Sequence, residues 1–464
     1  MDSKLTKKYG LPTAICMVVG IVIGSGVFFK AQTILQKTGG NMPLGILAWI
    51  IGGIIMLACI LAFSSMAQKY EKVNGIVDYA EATVSKKYAY SVGWFMTIIY
   101  YPTLTSVLAW LSARYTLVFI TSVNPAFPLI IPAAEGGCVI GPECMALTMF
   151  YMCCSYTVNA LSPKLAGKFQ VSTTIIKLIP LGLMAVVGII YGIASGNLAS
   201  NFSTVASTGT AVTKSPLFAS VCATAFAYEG WIIATSINAE LKDAKRNLPI
   251  ALILGGIIVM AVYILYYIGV AGGASNQDLI DNGATVAFIN VFGKVLGNIL
   301  NLFIAISCMG TMNGLMLGCV RGLYALSARN QGPKPEVFGQ VDEKTNMPNN
   351  SAIIGLLLCG AWGLYFFLAN LASTWKGPFV FDSSELPIIT IYAMYIPIFV
   401  MWMKKATGES TLKRYILPIL AIIGSVFMVI ACIIGHRMEN VWYLIVFAVV
   451  MFIGNAFNKG KIKN

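Results

Sequence analysis

Few residues in this 464-residue chain have the chemistry to act, and they stand in apolar company. Gly24, Ser25 and Gly26 lie within "VVGIVIGSGVFF", in the middle of an apolar run that begins at Leu11. Glu229 and Gly230 fall inside "CATAFAYEGWIIATSINAEL", and Lys177 interrupts "FQVSTTIIKLIPLG". Poor helix formers in such a run open the backbone ladder, freeing carbonyls on one half-helix and amides on the other. The amide end attracts an anion and the carbonyl end a cation. This set is suited to holding a small charged molecule. Bond-making chemistry is poorly provided for: the chain has one histidine, His436, and no CxxC pair, and no paired aspartates fall within an apolar run. No catalytic residue, metal site or cofactor is expected, and the chain is not read as an enzyme.

Hydrophobic residues make up 58% of the chain and charged residues 11%, against about a quarter charged in soluble domains. The mean hydropathy is +0.79, so the bilayer is the solvent to reason with and membrane lipid the first partner. The net charge of +13 is dispersed between apolar runs rather than gathered on one face, which argues against nucleic acid. Most of the 11 cysteines, such as Cys16, Cys59, Cys222 and Cys432, sit singly in apolar runs and read as small hydrophobes. Cys138 and Cys144 share the polar connection "EGGCVIGPEC" and would form a disulfide if that loop faces an oxidising side.

Apolar windows of roughly 20 residues fall near 11–36, 43–67, 90–122, 145–161, 169–194, 215–239, 249–273, 286–328, 350–370, 386–403, 412–434 and 440–457. The expectation is an all-α polytopic membrane protein of twelve spans forming a single transmembrane domain over 1–464. The third and eighth windows exceed one bilayer thickness, implying tilt or protrusion. No cleavable signal peptide is evident, so the first span is expected to be retained. Basic clusters at Lys7–Lys8, Lys86–Lys87, Lys242–Arg246, Lys404–Lys405 and Lys413–Arg414 fall in the inner segments, against scattered Lys30, Lys37, Lys214, Lys294, Lys376 and Arg437 in the outer segments, even with the ends of the first span included. That asymmetry puts both termini in the cytoplasm and the Cys138–Cys144 loop outside.

Helix up to Ile23 would be about 20 Å long, short of a hydrocarbon core of roughly 30 Å. By itself the Gly-Ser-Gly triplet fits a kink or a small-residue packing face as well as a cavity. A second interruption at Glu229–Gly230 favours the cavity. Spans one and six are corresponding members of two five-span halves, 11–194 and 215–403, followed by two extra spans over 412–457. Paired interruptions in equivalent spans point to an inverted-repeat transporter with a midplane site.

These segments also resemble the amino acid–polyamine–organocation superfamily, and within it the L-type amino acid transporters and their bacterial serine/threonine exchanger-like relatives. The resemblance is carried by "GIVIGSGVFF", "FAYEGW" followed by "ELKDAKRNLPIA", "RGLYALSARNQGP" and the weaker "NGIVDYAEA", and spans about residues 10–405. It implies a leucine-transporter-type 5+5 inverted repeat with broken helices one and six. It further implies that the substrate α-carboxylate meets the amides around Ser25, Gly26 and Val27. The α-amino group would meet carbonyls near Ile23, Phe226 and Ala227, with Phe226 as the gate over the bound amino acid. A lysine at the place of Lys177 occupies, in that family, the position of a sodium ion in sodium-coupled relatives. Some members need a heavy-chain partner; bacterial-looking ones work alone, and no obligatory protein partner is expected.

Read from the residues alone, Lys177 either snorkels or places its ammonium inside the bundle. Glu229 departs from the family's more common small residue. It is open to three readings: partner of a cationic side chain, proton acceptor, or satisfier of nearby backbone. Arg114 and Arg321 are expected to snorkel or pair near span ends, and Asn313 to bond across helices. The leading expectation is a sodium-independent exchanger of L-amino acids at the plasma membrane, with neutral substrates favoured and alternating access as the mechanism. The alternative is a proton-coupled or cationic amino acid or polyamine carrier that uses Glu229.

Overall fold

The computed structural model describes residues 10–70, 75–203, 215–235, 241–343, 347–372 and 374–458. Both termini, together with Lys214, therefore lie outside the described residues. Within them the chain is helical, without a β-strand. Eleven helices are long and apolar enough to cross a membrane, and a bent pair, Leu11–Val22 with Gly26–Lys37, makes twelve. The remaining spans run Met42–Lys69, Lys86–Val123, Gly137–Leu161, Lys168–Ser195, Pro216–Ala234, Ala244–Gly273, Ala284–Ser327, Asn349–Leu371, Leu386–Lys405, Leu412–His436 and Met438–Phe457. Their order and number agree with the sequence expectation, and the architecture is the leucine-transporter-like one with helices one and six broken.

The two longest elements explain their own length. Span three carries a π-turn at Met96–Tyr100, which gives the helix an extra residue and re-aims Tyr100 inward. Span eight is two helices merged across Gly293, whose φ of 82° is non-helical. The excess beyond one bilayer thickness is thus a short separate helix and needs no extreme tilt.

Span one breaks after Val22 and resumes at Gly26, with a bend of 42°. Span six stops at Ala227 and resumes at Trp231, with Gly230 at φ 103°. The breaks touch: a Cβ added to Gly26 would lie 2.4 Å from the Cα of Ala227, so only glycine lets the two backbones approach this closely. Trp49 packs edge-on against Tyr228 and Tyr263 at the junction, those two rings lie tilted at 39° to each other, and the Tyr228 hydroxyl donates to the Trp49 carbonyl at 2.9 Å.

An alanine at position 230 would hold a conformation that side chains rarely adopt. Gly230→Ala is expected to destabilise the protein by roughly 1–3 kcal/mol, seen as a lower melting temperature in detergent. An unchanged melting temperature would contradict the strained backbone at this position.

Candidate functional site

The broken ends expose backbone groups, and the structure supplies partners for the carbonyl side from three other spans. The Lys177 ammonium, fully buried, donates to the carbonyls of Gly20 at 2.7 Å and Ile23 at 2.6 Å and to Thr311 Oγ1 at 3.2 Å. It does not snorkel; it joins spans one, five and eight. Thr311 in turn donates to the Ile23 carbonyl at 3.3 Å, and Ser307 to the Gly24 carbonyl at 3.2 Å. On span seven, the Tyr263 hydroxyl lies 3.1 Å from the Val22 carbonyl and 3.0 Å from the Ala227 carbonyl. One phenol thereby sits between the carbonyl ends of both broken helices, its single O–H shared between them.

The amide side is left open. The first bond within the second half of span one runs from the Phe29 amide to the Ser25 carbonyl at 2.9 Å, so the amides of Gly26, Val27 and Phe28 lack partners within their own helix. The Ser25 hydroxyl is buried with no oxygen or nitrogen partner among the described residues. Helix geometry and dipole together make this end a place for a negative group.

A cavity runs between the breaks. Ser25, Gly26, Phe226 and Glu229 line it, with Gly24, Gly230 and Thr311 beside them and apolar walls from Leu104, Leu108, Leu315 and Ile388. Of the residues expected at the site, Ile23, Val27 and Ala227 are buried next to this space without lining it, as is Lys177. Glu229 Oε1 accepts a hydrogen bond from the Tyr100 hydroxyl at the π-turn of span three. Its Oε2 is buried without a partner among the described residues. A half-satisfied carboxylate in a cavity wall is costly unless something else completes it.

Phe226 is 8% exposed and its ring lies 5.3 Å from the Lys30 ammonium. Lys30, counted with the outer segments at the end of the first span, is buried and ion-paired with Glu385, the residue preceding span ten. At the opposite end of the bundle Arg329 pairs with Asp78 of the short helix Ile76–Thr83. Asn313 bonds across helices, accepting from Asn159 Nδ2 at 2.8 Å. Arg114 lies over the rings of Trp110 and Tyr115, and Arg321 is exposed.

The expected Cys138–Cys144 disulfide is absent: both are buried free thiols. Residues Gly137–Ile140 form their own helical turn, which sets the Cys138 sulfur 3.8 Å from Thr121 Oγ1 on span three, while Cys144 begins the first turns of span four.

Sequence reasoning missed Tyr100, Tyr263, Ser307 and Thr311. Each is one of several hydroxyl residues in its span, and no local pattern distinguishes it from the others.

Residues 9–455 match the family model described as amino acid permease. The chain is 28% identical over 448 residues to the serine/threonine exchanger SteT of Bacillus subtilis (strain 168), covering 94% of each chain. It is 24% identical over 450 residues to the mouse b(0,+)-type amino acid transporter 1, covering 96% of this chain and 86% of that one. It is 26% identical over 356 residues to the mouse large neutral amino acids transporter small subunit 2, covering 74% of this chain and 62% of that one.

Replacing Lys177 by methionine keeps the bulk and removes the donor, leaving the Gly20 carbonyl buried and unpaired and Ile23 with Thr311 alone. Lys177→Met is expected to lower stability by about 2–4 kcal/mol, read as a fall in melting temperature. Lys168→Met, at an exposed position of the same span, should leave it unchanged. Equal melting temperatures for the two variants would contradict the bridging role.

Proposed function

The chain belongs to the amino acid permease family, and we propose that it is a sodium-independent exchanger of neutral L-amino acids, lying in the plasma membrane with both termini cytoplasmic. One observation carries this reading: the carbonyl ends of the broken helices are already filled by Lys177 and Tyr263, while the amide end and the Ser25 hydroxyl are not. A substrate α-carboxylate completes the amides of Ser25, Gly26 and Val27. The α-amino group meets the carbonyls near Ile23, Phe226 and Ala227; the Ala227 carbonyl, which accepts from Tyr263, keeps a second lone pair for it. The Lys177 ammonium supplies the positive charge a bound sodium ion would otherwise bring, so coupling to sodium is not needed. Phe226 closes over the bound amino acid.

Neutral substrates are favoured because the walls contributed by Leu104, Leu108, Phe226, Leu315 and Ile388 are apolar. The name of the Bacillus relative, a serine/threonine exchanger, supports small neutral side chains. The halves 11–194 and 215–403 act as the two repeats, and rocking of one bundle about the fixed site exposes it to each side in turn. The ion pairs Lys30–Glu385 and Arg329–Asp78, at opposite ends of the bundle, part in alternation. An empty carrier leaves the amide end unsatisfied and changes side slowly, which makes the protein an exchanger. It works without a heavy-chain partner.

The unpartnered Oε2 of Glu229 favours a second reading, in which the carboxylate receives a proton or a cationic side chain.

Proteoliposomes preloaded with serine should take up labelled serine about tenfold faster than empty ones, a difference of ~1.4 kcal/mol in barrier, and replacing sodium by choline should change nothing. Equal rates in empty vesicles would refute exchange; loss of uptake in choline would refute the role given to Lys177. Glu229→Gln should keep its preference for serine over lysine. A wild-type preference for lysine that disappears in Glu229→Gln would establish the second reading.

A further inference from the structure

A second cluster brings together three kinds of metal-binding donor that the transport site does not use. Cys222 lies on span six, one helical turn before Phe226; Glu385 precedes span ten; His436 ends span eleven. Their thiol sulfur, carboxylate oxygen and imidazole nitrogen all lie within 4.8 Å of one another. Glu385 Oε2 is the hub, 2.9 Å from His436 Nε2 and 3.7 Å from Cys222 Sγ. The other imidazole nitrogen, Nδ1, lies 3.2 Å from Glu439 Oε2. A carboxylate on Nδ1 fixes the ring and leaves Nε2 as the donor atom, the arrangement that orients histidine ligands on metals.

We infer that Cys222, Glu385 and His436 bind a borderline-soft divalent cation, Zn2+ by the chemistry of its donors, and that the bound ion pins the first half of span six to spans ten and eleven. One sulfur, one nitrogen and one oxygen suit tetrahedral zinc with a water in the fourth position, whereas calcium and magnesium require all-oxygen shells. Binding expels to solvent the thiol proton and the Nε2 proton that His436 donates to Glu385, leaving a thiolate and a neutral imidazole on the metal. The approach lies along Glu439, whose side chain is 44% exposed, towards His436 at 10% and Glu385 at 1%. Two ammonium groups oppose the ion: Lys30 holds Glu385 Oε1, and Lys37 lies 3.8 Å from Oε2. Their repulsion makes this a modulatory site that fills as the external metal concentration rises. An ion there immobilises the half-helix that carries Phe226 and so slows transport from the outer side.

Co2+ tests the site directly, because a thiolate ligand gives cobalt an intense near-ultraviolet charge-transfer absorption. The purified full-length protein should show this band with one equivalent of Co2+ and lose it on adding Zn2+. Cys222→Ser should abolish the band. His436→Gln and Glu439→Gln should each weaken binding by about tenfold or more, and Cys153→Ser, at an exposed cysteine far along the chain, should leave it intact. Absence of the band in the wild-type protein, or its survival in Cys222→Ser, would overturn the site, and neither result depends on what the protein transports. In proteoliposomes external Zn2+ should inhibit exchange, with about tenfold more metal needed in His436→Gln. Equal sensitivity of that variant and the wild-type protein would overturn the pinning.

Discussion

A backbone amide or carbonyl without a partner inside a bilayer costs several kcal/mol, and this chain opens two helices in the middle of its bundle. The rest of the structure is arranged around that constraint. On the carbonyl side the protein meets it with its own groups: Lys177 for Gly20 and Ile23, Ser307 for Gly24, and Tyr263 for Val22 and Ala227. On the amide side it does not, and the Ser25 hydroxyl has no oxygen or nitrogen partner among the described residues. The asymmetry carries chemical information. What is missing from the site is chiefly a negative group with hydrogen-bond acceptors, and in an amino acid permease the α-carboxylate is the group that fits.

The two ends of the bundle carry ion pairs of similar construction. Lys30 and Glu385 are both buried, with His436 adding a further contact to the same carboxylate; Arg329 meets Asp78 and lies 3.6 Å from Glu81. Buried pairs add little net stability against apolar replacements but are costly to leave half-made. Such pairs therefore hold two elements in register or release them together, which suits closures more than scaffolding. Lys30 adds a cation–π contact to Phe226, so the ion pair at that end touches a ring that lines the cavity.

How much of this was legible in the sequence depended on how local the signal is. The breaks could be read because Gly24-Ser25-Gly26 and Glu229-Gly230 are contiguous and lie in apolar runs whose helices they must interrupt. Lys177 could be read because one ammonium stands out among aliphatic neighbours. Tyr100 and Tyr263 could not: they are two of 21 tyrosines, and what distinguishes them is the π-turn that re-aims one and the span-seven register that places the other. The burial of Lys30 is not legible because its partner lies 355 residues away. Cys222 read as a small hydrophobe for the same reason, since Glu385 and His436 approach it only in the folded bundle. The excess length of span eight is legible, but its division is not, because Gly293 divides the run without interrupting its hydropathy.

The claim that a zwitterion completes the opened helices is tested most directly by the melting temperature of the purified protein in sodium-free buffer. The ligands to compare are a neutral amino acid, its decarboxylated amine and its deaminated acid. A ligand that binds only the folded state raises the melting temperature with concentration. The account predicts stabilisation by the intact amino acid alone. Equal stabilisation by the amine, which has nothing to offer the amides of Gly26 and Val27, would contradict it.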